Sequence, residues 1–502
     1  MNAASPRSNF PDRYDLRRLV QVALEPRLAD YLRSRRWYGE KSGDIVNVTW
    51  EGVGDQAIAG TSLIVGFAAV ALAGRSHVWY SLPVAIDDRN QSIEPIADVD
   101  IGDVRLHIFD AIEHDRFQHW LLQGLLEPEA FRETRLNMRW TPTTAFGAVS
   151  HLSADSVARV SRAEQSNSSI IFGDQVIVKF FRKMRSGMNP DVEIGRFLTE
   201  EAHFADTPAT LGEFRVDLPS GEDVSFGVAQ QFVASIADGW EYALNTLRGL
   251  EINASDYAEH VNSWLEEARS LGEITAELHI ELSGATANSD FAPEPIETAD
   301  TDAWSSDLET ALRDVRDRIK RAPMGETENA TLVRAFESAT STLASRADGF
   351  TLLEGCSKIR IHGDYHLGQT LRTIDDRWVM LDFEGEPART IEERRAKSSA
   401  LKDVAGMLRS FSYAHGMTER STERQNSALL ARWEKETRKA FLAGYLSRAR
   451  PGVARFLPKT DEDVREALIA WELHKALYEI LYELDNRPDW VWLPLAASLK
   501  LA

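Results

Sequence analysis

The hydrophobic pattern of this chain changes character once, near residue 234, and that change limits the fold more than any other feature. Before it lie short runs with alternating apolar residues and polar turns, NVTWEGV, TSLIVGF, HVWYSLPVAI and DVRLHIFDAI, then IIFGDQVIVKFF and GVAQQFVAS. Period-two alternation between turn residues predicts strands. After it come long apolar-periodic stretches, Trp240 to Leu282, then LETALRDVRDRIKRA, LVRAFESATSTLASRAD, LKDVAGMLRSFSYA and LHKALYEILYELDN, which predict helices. The 502 residues divide as a β-rich cap over 1–110, a small sheet with one helix over 111–233, and a mostly helical part over 234–502. A prior of roughly 150 residues per domain gives the same number of units.

Local signals refine this outline. A helix is predicted through FQHWLLQGLL and on into EAFRETRLNM, and another from Asn189-Pro190-Asp191, a cap residue followed by proline at the first turn. Ser283 to Asp302, rich in Ser, Thr, Pro and Asp, reads as a linker or surface loop. The apolar stretch from Ala57 to Leu72 is shorter than a membrane span and reads as a buried strand pair. With 78 acidic against 57 basic residues the formal charge is -21, which disfavours binding to a phosphate backbone. Cys356 is the only cysteine, so neither an intrachain disulfide nor a cysteine zinc site is available. The polar start lacks an apolar signal region. These features predict a cytoplasmic protein that engages neither nucleic acid nor membrane, with monomer favoured.

The chemistry concentrates in Lys358 to Arg389, KIRIHGDYHLGQTLRTIDDRWVMLDFEGEPAR. Two short apolar runs each end in acidic residues, His362-Gly363-Asp364 and Asp382-Phe383-Glu384, 18 residues apart from Asp364 to Asp382. A loop, short strand, turn and return strand fit that spacing and bring the two aspartates to one cleft. One carboxylate then orients or deprotonates a hydroxyl, while the other holds Mg²⁺ on phosphates. Gln369 offers an amide oxygen as a second metal ligand. Upstream, Lys179 closes the apolar run VIVK and Glu193 lies early in the next helix, so the lysine can pair with phosphate and carboxylate together.

These segments resemble the catalytic and metal-binding loops of the kinase-like phosphotransferases, the group containing protein kinases and aminoglycoside phosphotransferases. More narrowly, IHGDYHLGQTLR and LDFEGEPAR resemble the bacterial maltokinases. So do RRWYGEKS, SRAEQSNSSIIFG, VIVKFFRKMRSGMNPDVEIGRFL, GWEYAL, LGEITAELH and LKDVAGMLRSFSYA. The resemblance implies an α+β, bilobal protein-kinase-like fold with an added β-rich N-terminal cap. It implies ATP and Mg²⁺ as cofactors, Asp364 as base, Gln369 and Asp382 as metal ligands, and Lys179 on the phosphates, positioned by Glu193. A turn through Glu164, Gln165, Ser166, Asn167, Ser168 and Ser169 replaces the glycine-rich phosphate loop of common kinases. Gln230, Gln231, Phe232 and Val233 form the hinge, whose backbone meets adenine. The implied reaction is phosphorylation of maltose at the anomeric hydroxyl, feeding α-glucan or glycogen formation, with a trehalose-to-maltose isomerase as a possible partner. RRWYGEKS builds the cap. A kinase for another sugar, an amino sugar such as glucosamine, or an aminoglycoside is the alternative.

Other readings use the same residues. His362 and His366 are four apart but lie in no H-E-x-x-H helix pattern, and His362 reads as a brace for the loop. Asp382, Glu384 and Glu386 could serve a glycosidase, which would leave Lys179, Glu193 and Gln369 without a role. Glu386 and Arg389 are candidates to support the acceptor site or to form surface ion pairs. A catalytically silent scaffold would lack Asp364, Asp382 or Lys179, and all three are present.

Overall fold

The computed structural model describes residues 13–502 except 42, 75–76, 90, 128, 130, 132–134, 150–151, 162–165, 253–256, 285–286, 322–326, 422–426 and 451. It divides into two compact units, one running to His203 and including Pro208–Ala234, the other comprising Phe204–Thr207 and Ser235–Ala502.

The first unit opens with helix α1, Arg13–Ser34, whose Leu16, Val20, Leu24, Leu28 and Leu32 recur every fourth residue and are all buried. This stripe packs on a sheet of β1 (Ile45–Ile58), β2 (Thr61–Leu72), β4 (Val84–Asp87), β6 (Val104–Asp110) and β5 (Ala97–Ile101), in that order, with β3 (Val78–Ser81) added beside β2. The apolar stretch 57–72 is therefore the turn and second strand of a hairpin. Strand β2 is covered on both faces: Ile64, Ala68 and Val70 meet the α1 side, and Leu63, Val65 and Phe67 join a second core. That double burial explains its lack of alternation.

The second core also takes helix α2 (Asp115–Leu126) through Phe117, Trp120, Leu121 and Leu125. It takes the inner face of a second sheet, ordered β7 (Met138–Pro142), β11 (Thr210–Asp217), β12 (Asp223–Gln231), β10 (Val176–Phe181), β9 (Asn167–Phe172) and β8 (Ala158–Val160). The helix expected through EAFRETRLNM does not reach Met138, which opens β7; Asn137 before it sits at φ 57°, outside helical space. Helix α3, Pro190–Glu200, starts as the sequence indicates, with the Asn189 side chain accepting from the Asp191 amide and proline in the first turn.

The second unit begins with β13 (Ser235–Asp238), which joins β14 (Thr370–Thr373) and β15 (Trp378–Met380) in a small sheet. Its helices include α4 (Gly239–Ile252), α5 (Tyr257–Gly284), α6 (Thr298–Ile319), α7 (Thr327–Ser345), α8 (Ile391–Arg395), α9 (Leu401–Ser421), α10 (Ser427–Arg448), α11 (Asp461–Asn486) and α12 (Trp492–Leu499). The stretch expected to be loop through Asp302 turns helical at Thr298. Glu297 and Asp300 form a reciprocal capping box there, so the acidic residues that resembled a linker start a helix.

Helices α5 and α10 cross backbone to backbone. A Cβ on Gly272 would lie 2.0 Å from the Phe441 carbonyl oxygen, and one on Gly444 2.0 Å from that of Arg269. Backbone cannot yield as a side chain can, so Gly444→Ala is expected to lower stability by about 1–3 kcal/mol. The helix-propensity gain of about 1 kcal/mol acts in the opposite direction. A urea midpoint equal to or above the parent's, at unchanged slope, would show that the two helices do not cross this closely.

Candidate active site

In the first unit the site is built on the β9–β10 hairpin. Lys179 is the fourth of six residues in β10 rather than its end, and pairs across the sheet with Ser169 on one side and Val228 on the other. Its ammonium is nearly buried and lies 3.2 Å from Asp191 Oδ2 in the first turn of α3. Glu193, the expected partner, follows Asp191 by two residues in the first turn of the same helix. Asp191 was not singled out from sequence, although the Asn-Pro-Asp start places a carboxylate in the first turn.

Of the expected phosphate turn, Glu164 and Gln165 lie outside the described residues. Asn167, Ser168 and Ser169 are strand residues of β9, because their side-chain pattern continues the pleat of the apolar run behind them. Ser166 precedes the strand, exposed, and its hydroxyl accepts from Asn167 Nδ2 at 3.2 Å. The Ser168 hydroxyl accepts from Arg182 Nε at 2.8 Å. Arg182 is buried; it also donates to Asp110 Oδ2 at 2.7 Å and the Ser81 carbonyl at 3.2 Å, and stacks 4.6 Å over Trp37 of RRWYGEKS. Tyr38 is buried and Glu40 pairs with Lys183, so this motif builds the cap and ties it to the strand that carries Ser168. At the hinge, the Gln231 amide donates to the Ala209 carbonyl and the Phe232 amide to Gln175, each within the unit. Those two donors are engaged before any adenine arrives, which narrows the expected hinge contacts to their carbonyls and to Val233.

In the second unit the HGD loop is held from below by α9. Asp403 is buried and its two oxygens accept from the amides of His362 (2.8 Å) and Gly363 (2.9 Å). Its Oδ2 also meets His279 Nε2 at 3.1 Å, and His279 Nδ1 meets the Tyr445 hydroxyl at 2.9 Å. Burial pushes the Asp403 carboxyl up, but the His279 hydrogen bond and charge, the His362 charge and the Gly363 amide outweigh it and hold it below the usual range. Three and seven residues on, Gly406 lets α9 approach the Tyr365 carbonyl, where a Cβ would come within 2.5 Å, and the Ser410 hydroxyl accepts from the Leu367 amide at 3.1 Å. Spacings of three and seven place all three residues on one helix face.

The loop carries Asp364 and ends in a turn, Leu367–Gln369. His362 Nε2 lies 2.8 Å from the Leu381 carbonyl, so it bridges the loop to the segment ending in Asp382, as a brace would. His366 accepts from the Gly368 amide at 3.1 Å, so both imidazoles serve the main chain, which disfavours the zinc reading. Gln369 Nε2 donates to Asp382 Oδ2 at 3.1 Å, and Asp382 sits at φ 64°, a left-handed conformation costly for a non-glycine residue. Glu384 faces Arg394 at 3.9 Å. The carboxylate–amide oxygen set of Asp382 and Gln369 suits a hard cation such as Mg²⁺.

Sequence reasoning missed Lys475. It projects from α11 and donates to Asp364 Oδ1 at 3.0 Å and to Glu386 Oε1 at 2.8 Å. Glu386 is buried rather than on a surface, with Arg389 Nε 3.6 Å from its other oxygen. Burial pushes the Glu386 carboxyl up, but Lys475 and Lys402 overcome this and keep it well below the usual range, while the two carboxylates raise the lysine. Tyr478, one turn on, lies under the Lys475 ammonium at 4.8 Å and stacks with Tyr482 at 6.5 Å. No motif announces these residues; a single lysine on an apolar helix face was the available signal.

His474 beside this cluster is pushed down to about 3, by burial first and then by Lys402. The unfolded chain therefore takes up this proton before the folded one does. The associated stability is complete above about pH 6.5 and is lost as pH falls toward the folded value. Urea midpoints between pH 7 and 5 should fall less steeply in His474→Gln than in the parent, the difference approaching about 1.4 kcal/mol per pH unit. Parallel profiles would show that His474 is not buried as the neutral form. His366, also lowered by burial, keeps part of the slope in the variant.

No family model matches the chain. It is 28% identical over 363 residues to a glucosamine kinase of Mycolicibacterium smegmatis, covering 71% of this chain and 83% of that protein. It is 25% identical over 333 residues to a glucosamine kinase of Streptacidiphilus jiangxiensis, covering 66% and 70%. Among solved structures, a glucosamine kinase in a second crystal form superposes with TM-score 0.68 at 19% identity, over 98% of this chain and 99% of that one. A glucosamine kinase bound to glucosamine, ADP and inorganic phosphate gives 0.63 at 20% identity, over 90% and 93%. The chain therefore shares the α+β fold of these solved glucosamine kinase structures.

Proposed function

We propose that the protein is an ATP-dependent kinase that phosphorylates a hydroxyl of a small sugar. The observation that carries this reading is Asp364, a carboxylate on a loop anchored by Asp403 and gripped by Lys475. Such a group can accept a hydroxyl proton while a fixed cation orients it. Phosphoryl transfer asks mainly for positioning and charge stabilisation. Lys179, steadied by Asp191 and with Glu193 on the same helix, holds the donor phosphates; Ser166 and Val233 remain the donor-side contacts with least internal engagement. Mg²⁺ held by Asp382 and Gln369 would neutralise charge on the transferring oxygens. Asp364→Ala is expected to lower turnover by at least about 100-fold while leaving nucleotide binding measurable by calorimetry. Near-parental turnover in that variant would remove Asp364 from the chemistry.

Glucosamine is the acceptor with most support, because both curated relatives described above are named for it. Maltose is the second reading, carried by the motif resemblance and favoured by one observation: Lys475 already supplies an ammonium between Asp364 and Glu386. A charged amine on the acceptor would meet carboxylates that are compensated. The half-exposed Tyr482, stacked on Tyr478, offers an aromatic surface leading away from Asp364 on which a further sugar ring can lie. ADP release with glucosamine, maltose, glucose, trehalose and an aminoglycoside decides between them. The highest kcat/KM is expected with glucosamine or maltose. No sugar-dependent ADP release from the whole panel would sink the kinase reading.

A further inference from the structure

Helix α11 carries further ionic residues on the face that presents Lys475. Glu472, Glu479 and Glu483 recur at seven and four residues, and each meets a partner from the surrounding helices or the end of its own. Arg438 Nη2 donates to both oxygens of Glu472 at 2.8 Å, and its Nη1 to the Leu408 carbonyl at 3.2 Å. Arg409 Nε and Nη2 both reach Glu479 Oε2, at 3.0 and 2.7 Å. Glu483 takes both donors of Arg487 and the Tyr413 hydroxyl at 3.3 Å. Arg409 is 2% exposed and its partner Glu479 is largely buried, which makes this an interior pair; Glu472 and Glu483 are buried too, but Arg438 is partly and Arg487 about half exposed.

Around the same helix the packing residues are Ala467, Leu468, Ala470, Trp471, Leu473, Ala476, Leu477 and Ile480, all buried. An apolar surface covering so much of the circumference tolerates small rotations, since one methyl row can replace another. A buried arginine–glutamate pair does not tolerate them, because rotation would leave both charges unpaired in the interior. Fixing register is the best-attested use of such pairs. Lys475 lies three residues after Glu472 and four before Glu479, on the same helix face, so the two pairs set the angle at which it leaves the helix.

Resting on the kinase reading, we infer that Arg409 and Glu479 are positioning residues that hold α11 at the rotation which delivers Lys475 to Asp364. Arg409 lies on α9, which grips the HGD loop through Asp403, Gly406 and Ser410. One helix thereby serves as the common reference for both ends of the Lys475–Asp364 contact.

The test is the paired variant Arg409→Met/Glu479→Leu, which removes both charges together and leaves neither buried alone. Such replacements commonly preserve or raise stability. The expected result is a folded protein with a Tm at or above the parent's, acceptor kcat/KM lower by about 10- to 100-fold, and KM for ATP within about threefold. Adding Lys475→Met to the paired variant should cost little further activity, because both changes act on one contact. A folded paired variant with parental acceptor kcat/KM overturns the inference, as does full additivity with Lys475→Met. If the paired variant does not fold, Arg409→Lys decides. Acceptor kcat/KM lowered by about threefold or more at parental Tm supports the inference, and an unchanged value overturns it. Absence of sugar-dependent ADP release from the parent protein would instead be a failure of the kinase reading.

Discussion

The second unit is organised around one buried carboxylate. Asp403 accepts the amides of His362 and Gly363, which point inward where the loop turns and have no strand partner of their own. A buried amide without an acceptor costs as much as a lost hydrogen bond, so a single side chain that satisfies two at once fixes the loop without β-pairing. The carboxylate is in turn fixed by His279, itself held by Tyr445, so α5, α9 and α10 all converge on it. Asp364 reaches its place because its two predecessors are held this way. His362 then extends the same rigidity to Leu381 and Asp382.

The first unit has a corresponding centre in Arg182. Its guanidinium joins Asp110 and Ser81 of the first sheet to Ser168 of the second, with Trp37 covering it. A planar group with several fixed donors can hold three acceptors in different directions, which a lysine in its place could not do. The cap therefore contacts the strand paired with the Lys179 strand through a polar hub as well as through the shared core.

Much of this was legible because short-range signals carry it. The Asn189-Pro190-Asp191 cap, the strand VIVKFF, the HGD loop and the LDF segment depend on residues within a few positions of one another. What was not legible depends on distance or on geometry that sequence leaves open. Lys475 is 111 residues from Asp364, and a lysine in LHKALYE reads as one more solvated helix charge. Asp191 and Glu193 are both acidic first-turn residues, and nothing in their local sequence marks Asp191 as lying within reach of Lys179. Asn167 to Ser169 have turn chemistry but are drawn into β9 by pairing with β10. Glu297 and Asp300 carry linker composition, yet their spacing of three is what a capping box requires.

The long separation between Asp364 and Lys475 bears on how the protein comes into being. During synthesis the HGD loop emerges well before α11, and the carboxylate and its lysine partner meet only after the chain has grown past residue 475. Until then Asp364 and Glu386 face each other without the cation between them, an arrangement of like charges that resists closing. A nascent chain that can already fold its Lys179 sheet thus still lacks the ion cluster around Asp364. The last helices to arrive bring the group that completes it.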